Sequence, residues 1–296
     1  MRWQGEPRSR NVEDRRRQSF TPVLVGGGGL ILIAFVIIAL LMGADPKDIL
    51  NDLNQTQSSA PASSTPASSA PGSAGPAAPR SDDQQADYAK VVLAQTETTW
   101  GRIFADSGKS YVPPTLVLYD HATATGCGVG VSAMGPFYCP LDHKLYLDLT
   151  FFRALDQRFG APGNFAQAYV IAHEVGHHVQ ELMGVAEQVR NAQAMAEPAR
   201  ANALSMRLEL QADCYAGVFA SQDNAQGKLE PGDIDQAVAA AAAVGDDTLQ
   251  KRTRGEVVPD SFTHGTSAQR IAWFKRGYAA GATGACDTFS PAPGDL

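Results

Sequence analysis

Ala172-His173-Glu174-Val175-Gly176-His177-His178 lies inside a stretch, Asn164 to Met183, bounded by Pro162-Gly163 on one side and Gly184 on the other. The stretch reads as a helix, with Asn164 as a candidate cap and Gly184 as its stop. On such a helix His173 and His177 are four residues apart, so both rings leave the same face one turn apart. Two imidazoles at that spacing can hold one Zn²⁺ at about 2.0–2.1 Å each. Glu174, next to the first of them, is placed to work on a metal-activated water rather than on the metal.

Two histidines leave a catalytic site short of a third protein ligand, with one position to stay open. The extended HExxHxxGxxH pattern fails, because Gln180 stands at its glycine place and Met183 at its third histidine. A second long helix, read over about Pro198 to Ser221, offers Glu209-Leu210-Gln211-Ala212-Asp213. Glu209 and Asp213 are again four apart. Glu209 is the candidate carboxylate ligand, and Asp213 the residue that accepts a hydrogen bond from the outer nitrogen of a ligand histidine and fixes its tautomer. The competing reading is an exposed acidic pair on an amphipathic helix.

Outward from these two helices, Asp83 to Phe104 reads helical, as do Asp233 to Val244 and a last helix from Ser267 to about Gly281. Thr115 to Tyr119 and Lys144 to Leu149 read as strands, the second alternating Leu145, Leu147 and Leu149 against Tyr146 and Asp148. Several long helices with few strands predict an α+β domain carrying a small sheet.

The chain has 296 residues with a formal net charge of −7. Residues 1–43 hold six arginines and three acids, which leaves 18 basic and 28 acidic residues in the rest. So anionic a body argues against a nucleic-acid binder, which needs a basic face to release counterions. Val23 to Met42 is twenty residues without charge, about enough to cross a hydrocarbon core of roughly 30 Å. A cleaved signal peptide wants a short basic head and small residues at its exit. The 22-residue head contains acids and the exit is Leu41-Met42-Gly43-Ala44-Asp45-Pro46, so a retained anchor fits better. Arginines before the span and only Lys47 soon after it predict a cytoplasmic N-terminus.

Residues 58–79 contain only Ser, Ala, Pro, Gly and Thr and read as an extended tether. The expected organisation is therefore a basic cytoplasmic head (1–22), a transmembrane helix (23–43), a disordered tether (44–81) and one outer domain (82–296). Four cysteines in an oxidising compartment favour disulfides. Cys127 and Cys139 are twelve apart in a Gly-rich segment and suit a local clip, leaving Cys214 with Cys286.

His-Glu-Val-Gly-His followed by Glu-Leu-Gln-Ala-Asp resembles the gluzincin branch of zinc peptidases. The whole chain outside the tether is similar to the bacterial neutral zinc metallopeptidases. The likeness runs through MRWQG and NVEDRR, GPFYCP, YLDLTFF, AYVIAHEVGHHVQ, ELQADCYAG, THGTSAQRIAWFKRGY and a final Cys-Asp-Thr-Phe. The resemblance implies a zincin-like fold, a Zn²⁺ cofactor and peptidase activity on protein or peptide substrates. Related membrane gluzincins carry a His…Arg-Ile element, matched here by His264 and Arg270-Ile271, so both residues are candidates for stabilising the developing oxyanion. The alternative is that His264 caps a turn and Arg270 bridges to the helix of Asp213. Tyr146, Tyr169 and Tyr215 are other possible donors. His178 is expected off the metal face, and His121 and His143 at the surface.

These readings combine into a zinc endopeptidase anchored in a bacterial cytoplasmic membrane by a single span, its domain facing the periplasm or exterior. Lys144 to Leu149 is the expected edge strand for a substrate. A zinc-stabilised scaffold that binds an envelope partner without cutting it is the alternative from another class.

Overall fold

The computed structural model describes residues 1–18, Arg80 and 82–290. Eight helices and two small sheets make up these residues, an α+β arrangement. The strands are β1 (Val12–Asp14), β2 (Thr115–Tyr119), β3 (Ala122–Thr125), β4 (Gly128–Val131), β5 (Phe137–Cys139) and β6 (Lys144–Asp148). The helices are α1 (Asp83–Asp106), α2 (Thr150–Gln157), α3 (Asn164–Leu182), α4 (Val185–Ala194), α5 (Pro198–Ala225), α6 (Asp233–Ala243), α7 (Asp246–Arg254) and α8 (Ser267–Ala280).

The main sheet has the order β1-β2-β6-β5, with β1, β2 and β6 parallel and β5 antiparallel to β6. Alternation along β2 and β6 decides its two faces. Leu116, Leu118, Leu145 and Leu147 turn into the main core with the helices, while Val117, Tyr119 and Tyr146 join Cys139 and Phe137 in a second, smaller cluster. The strand expected at the edge, Lys144 to Leu149, lies between β2 and β5 instead. The edges are β1 and β5, each a three-residue strand too short to announce itself in the sequence. Strands β3 and β4 form a separate hairpin.

Helix α3 buries Phe165, Ala168, Tyr169, Ala172, Val175 and Val179 at the three-and-four spacing of one apolar face. Asn164 does not cap it. The preceding Gly163 holds the cap position, and Gln236 of α6 accepts the Phe165 N–H at 2.9 Å. Gly184 ends the helix in the left-handed conformation (φ 75°) and at once begins α4, which the sequence did not signal. Helix α8 is capped by Thr266 rather than Ser267, in a capping box with Gln269. Its contact with α5 is unusually close: a Cβ on Gly277 would lie 1.9 Å from the Cys214 carbonyl oxygen.

Residues 1–18 are part of this domain. Strand β1 runs in register with β2, Val12 opposite Leu116 and Asp14 opposite Leu118. Trp3 is buried and meets Tyr88 of α1 edge-on at 5.4 Å. The Arg16 side chain, only 4 % exposed, pairs with Asp14 (2.6 Å), Asp82 (3.1 Å) and Asp83 (3.2 Å), and Arg8 pairs with Asp87 (3.0 Å). Arg80, at the far end of the intervening chain, donates to the Arg16 carbonyl at 3.1 Å. The expected organisation set these residues apart as a separate head. The arginines read as a cytoplasmic charge signal find acids of the domain as partners. The expected transmembrane helix (23–43) and nearly all of the tether (44–81) lie outside the described residues. Among the described residues no helix is long and apolar enough to cross a membrane.

Both expected disulfides are present, Cys127–Cys139 and Cys214–Cys286, the second across 72 residues of sequence.

Candidate metal centre

The site forms where α3 crosses α5. Gly176, between the two motif histidines, faces Ala212, and a Cβ at Gly176 would sit 3.1 Å from the Ala212 Cα and carbonyl oxygen. That close approach sets the turn carrying His173 and His177 directly against the turn carrying Glu209 and Asp213. His173 Nε2 lies 3.2 Å from Glu209 Oε2 and His177 Nε2 lies 3.3 Å from Glu209 Oε1. One donor atom from each of the three residues falls within 4.8 Å of the others, a group that could hold a metal ion.

The outer nitrogens of the two rings are tied down. His173 Nδ1 is 2.9 Å from Asp213 Oδ1. Asp213 is fully buried and receives both Arg270 Nε (2.8 Å to Oδ2) and Nη2 (2.9 Å to Oδ1), and the Tyr169 hydroxyl donates to it as well. Arg270 also reaches the Val244 carbonyl (3.3 Å) and the Tyr169 oxygen (3.3 Å). It therefore stands behind His173 as part of the support for Asp213. Of the two readings open for Arg270, the bridge to the helix of Asp213 is the one these contacts describe. His177 Nδ1 is held at 2.9 Å by Gln180 Oε1, a partner the sequence reading missed although it lies three residues further along the same helix face.

His264 sits in the loop before α8, half-buried, with Nδ1 3.2 Å from Asp246 Oδ1. The other Asp246 oxygen accepts the backbone N–H groups of Thr263 (2.8 Å), His264 (2.6 Å) and Gly265 (3.1 Å). Asp246 thus shapes the loop as well as orienting the ring, and no local pattern pointed to it. His264 is close enough to Glu209 for each to shift the other's titration. The three candidate tyrosines are engaged elsewhere: Tyr146 with Asp142 (2.6 Å), Tyr169 with Asp213, and Tyr215 with the Met183 sulfur (3.7 Å). His178 points away from the metal group, as expected, and is buried. It bonds the Val112 carbonyl at 2.7 Å and the Tyr138 hydroxyl at 3.0 Å, and burial pushes its pKa down to about 4, so it is a neutral strut between α3 and β5. His121 and His143 are exposed, as expected.

The electrostatics suit a cation. Burial works against a charged His173 ring, yet Asp213 and Glu209 outweigh it and raise its pKa to about 10. His177 is raised as well, burial being overcome by Glu209. Burial acts against the Glu209 charge too, and the two histidines reverse it and hold the carboxyl well below its usual range. A pocket that draws positive charge onto two imidazoles facing one carboxylate, with both Nε2 atoms inward, has the donor chemistry of a zinc site. Glu174, beside this group, is shifted the other way, raised chiefly by burial.

A sequence profile described as "Putative neutral zinc metallopeptidase" matches residues 1–289. The chain is 47% identical over 299 residues to "Uncharacterized protein YpfJ" of Escherichia coli K12, covering 98% of this chain and 99% of that one. It is also 47% identical over 193 residues to "Uncharacterized protein Rv2575" of Mycobacterium tuberculosis, covering 62% of this chain and 64% of the relative. No solved structure matches it.

Proposed function

The chain belongs to the family described as "Putative neutral zinc metallopeptidase", and on that premise we propose that it is a zinc-dependent endopeptidase. The observation that carries this reading is the inward pairing of His173 Nε2 and His177 Nε2 with the two oxygens of Glu209 while both Nδ1 atoms are occupied. Zinc bound there would acidify a water molecule and polarise the scissile carbonyl. Glu174 takes a proton from the attacking water and passes it to the departing amine, a task suited to a carboxyl whose pKa burial has raised. His264, oriented by Asp246, donates to the carbonyl oxygen as it gains charge.

The substrate strand pairs with β5. This is one edge of the main sheet, and His178, the residue after ligand His177, fastens it to α3 through Tyr138. An extended peptide laid along β5 would run against the helix that carries His173 and His177, with main-chain hydrogen bonds supplying affinity.

Two disulfides favour an oxidising compartment, and we place the domain outside the cytoplasmic membrane. Residues 1–18 share that compartment with it. The apolar run 23–42 is then a membrane attachment made from the domain's own side.

The test uses the full chain in detergent. Elemental analysis should find zinc, and an unfolded protein substrate should be cut by the wild type and not by Glu174→Gln. A folded protein that binds no zinc, or undiminished cleavage by Glu174→Gln, would overturn the reading.

A further inference from the structure

Beyond the ligands, a line of buried amides leaves the site in one direction. Gln180 is fully buried and Gln211 nearly so. Gln180 Nε2 donates to the Leu208 carbonyl at 2.7 Å and to Gln211 Oε1 at 3.1 Å. Gln211 Nε2 donates to the Cys286 carbonyl at 2.9 Å. Carbonyl oxygens only accept, so each amide has one allowed orientation. Nitrogen must face Leu208 and Cys286, which leaves Gln180 Oε1 as an acceptor toward His177. The imidazole is then obliged to donate from Nδ1, and its Nε2 lone pair faces Glu209. The relay thus runs from the ring, through Gln180 and Gln211, to the backbone of a disulfide cysteine.

Cys286 is joined to Cys214, one helical turn beyond Gln211 on α5. The same tail segment is held by the Thr288 hydroxyl on the Arg207 carbonyl at 2.7 Å. Breaking the disulfide therefore loosens the Cys286 carbonyl without releasing the tail altogether. The two ligand histidines also differ in their support. His173 is held by a carboxylate that Arg270 grips with two bonds, whereas His177 depends on neutral amides whose last anchor is this carbonyl.

We infer that Gln180 and Gln211 are positioning residues that hold His177 in its metal-binding tautomer, and that through them the Cys214–Cys286 disulfide governs how firmly the protein keeps its metal. The inference rests on the zinc reading above. Replacing outer partners of metal-bound histidines typically weakens metal binding about 10- to 100-fold. Gln180→Leu, which strips the ring of its acceptor, belongs at the upper end of that range. Gln211→Leu, which leaves Gln180 bonded to Leu208, belongs at the lower end.

The experiment measures the rate at which a chromogenic chelator strips zinc from the full-length protein in detergent, before and after reduction of the disulfides, with far-UV circular dichroism to confirm folding. Zinc should leave Gln180→Leu and Gln211→Leu faster than wild type. Reduction should speed zinc loss from wild type and add little in Gln211→Leu, where the connection is already cut. That non-additivity separates coupling from general loosening. Should Gln180→Leu not fold, the wild-type and Gln211→Leu comparison decides alone. Equal rates in all oxidised proteins, or equal acceleration by reduction in wild type and Gln211→Leu, would overturn the relay and leave the zinc reading standing. A wild type that binds no zinc would overturn both.

Discussion

Asp213 and Arg270 form a two-pronged pair buried behind the metal group, Nε to Oδ2 at 2.8 Å and Nη2 to Oδ1 at 2.9 Å, and the same carboxylate holds the Nδ1 of His173. Removing either partner leaves a buried charge without compensation, which costs about 3–5 kcal/mol. Arg270→Met should therefore lower the unfolding midpoint sharply and destabilise the metal-free protein too, as differential scanning fluorimetry with excess chelator would record. Asp213→Asn should also weaken zinc binding about 10- to 100-fold. An Arg270 variant that loses turnover at unchanged stability would return the residue to the oxyanion role.

Glu174 and His264 should separate from the ligands by what they spare. Glu174→Gln is expected to abolish detectable cleavage while retaining stoichiometric zinc. His264→Phe should reduce kcat by about 10²–10³, the usual loss for one oxyanion donor, again with zinc in place. Asp246→Ala should reproduce much of that loss, because it frees the ring and the 263–265 loop together. Cleavage kinetics alongside metal analysis reads all three, and loss of zinc from Glu174→Gln would argue that Glu174 is a ligand.

Docking of the N-terminal strand makes a topological prediction. Glu13 and Val117 are partners in the parallel register of β1 and β2. Cysteines introduced at both positions should form a disulfide in growing cells, detectable by peptide mapping under non-reducing conditions. If residue 13 instead stays a free thiol that membrane-impermeant reagents label only after the cells are permeabilised, the two segments lie on opposite sides of a membrane.

The carboxyl of Asp223, fully buried on α5 with the Lys228 ammonium at 3.6 Å, is raised to about 6, because burial outweighs the lysine. A folded-state pKa above the unfolded one means that the native state binds the extra proton. Stability should fall as pH rises from about 4 to about 6 and stay reduced above that. Asp223→Asn should stabilise the protein by about 1 kcal/mol at pH 7–8 and have no such benefit below pH 4, with pH-dependent thermal melts as the check. A gain of equal size at both pH values would exclude the titration as its source.

Much of the metal group was legible because helical spacing is a local property. A step of four from His173 to His177, and of four from Glu209 to Asp213, places each pair on one helix face whatever the rest of the chain does. The cysteine pairing was accessible for a similar reason, since one short loop left a single remaining pair. Other features came from contacts that no local period encodes. The role of Arg270 depends on how α8 packs on α5 at Gly277, and Asp246 reaches His264 only because α7 and the 263–265 loop meet in space.

From the sequence alone came the α+β class, the three ligand candidates, the glutamate proposed to activate water, and the covalent staples. Tertiary structure alone decided that Gly176 meets Ala212, that β6 is an inner strand with β5 beyond it, and that Val12–Asp14 pairs with β2. The reason is the range of the forces involved. Backbone periodicity links residues a turn apart, whereas strand order, helix crossings and the partners of buried charges are settled by packing between segments distant in the chain. The arginines of residues 1–18 show the difference most sharply, since their number suggested a membrane signal, whereas Arg16 is buried and pairs with Asp82 and Asp83.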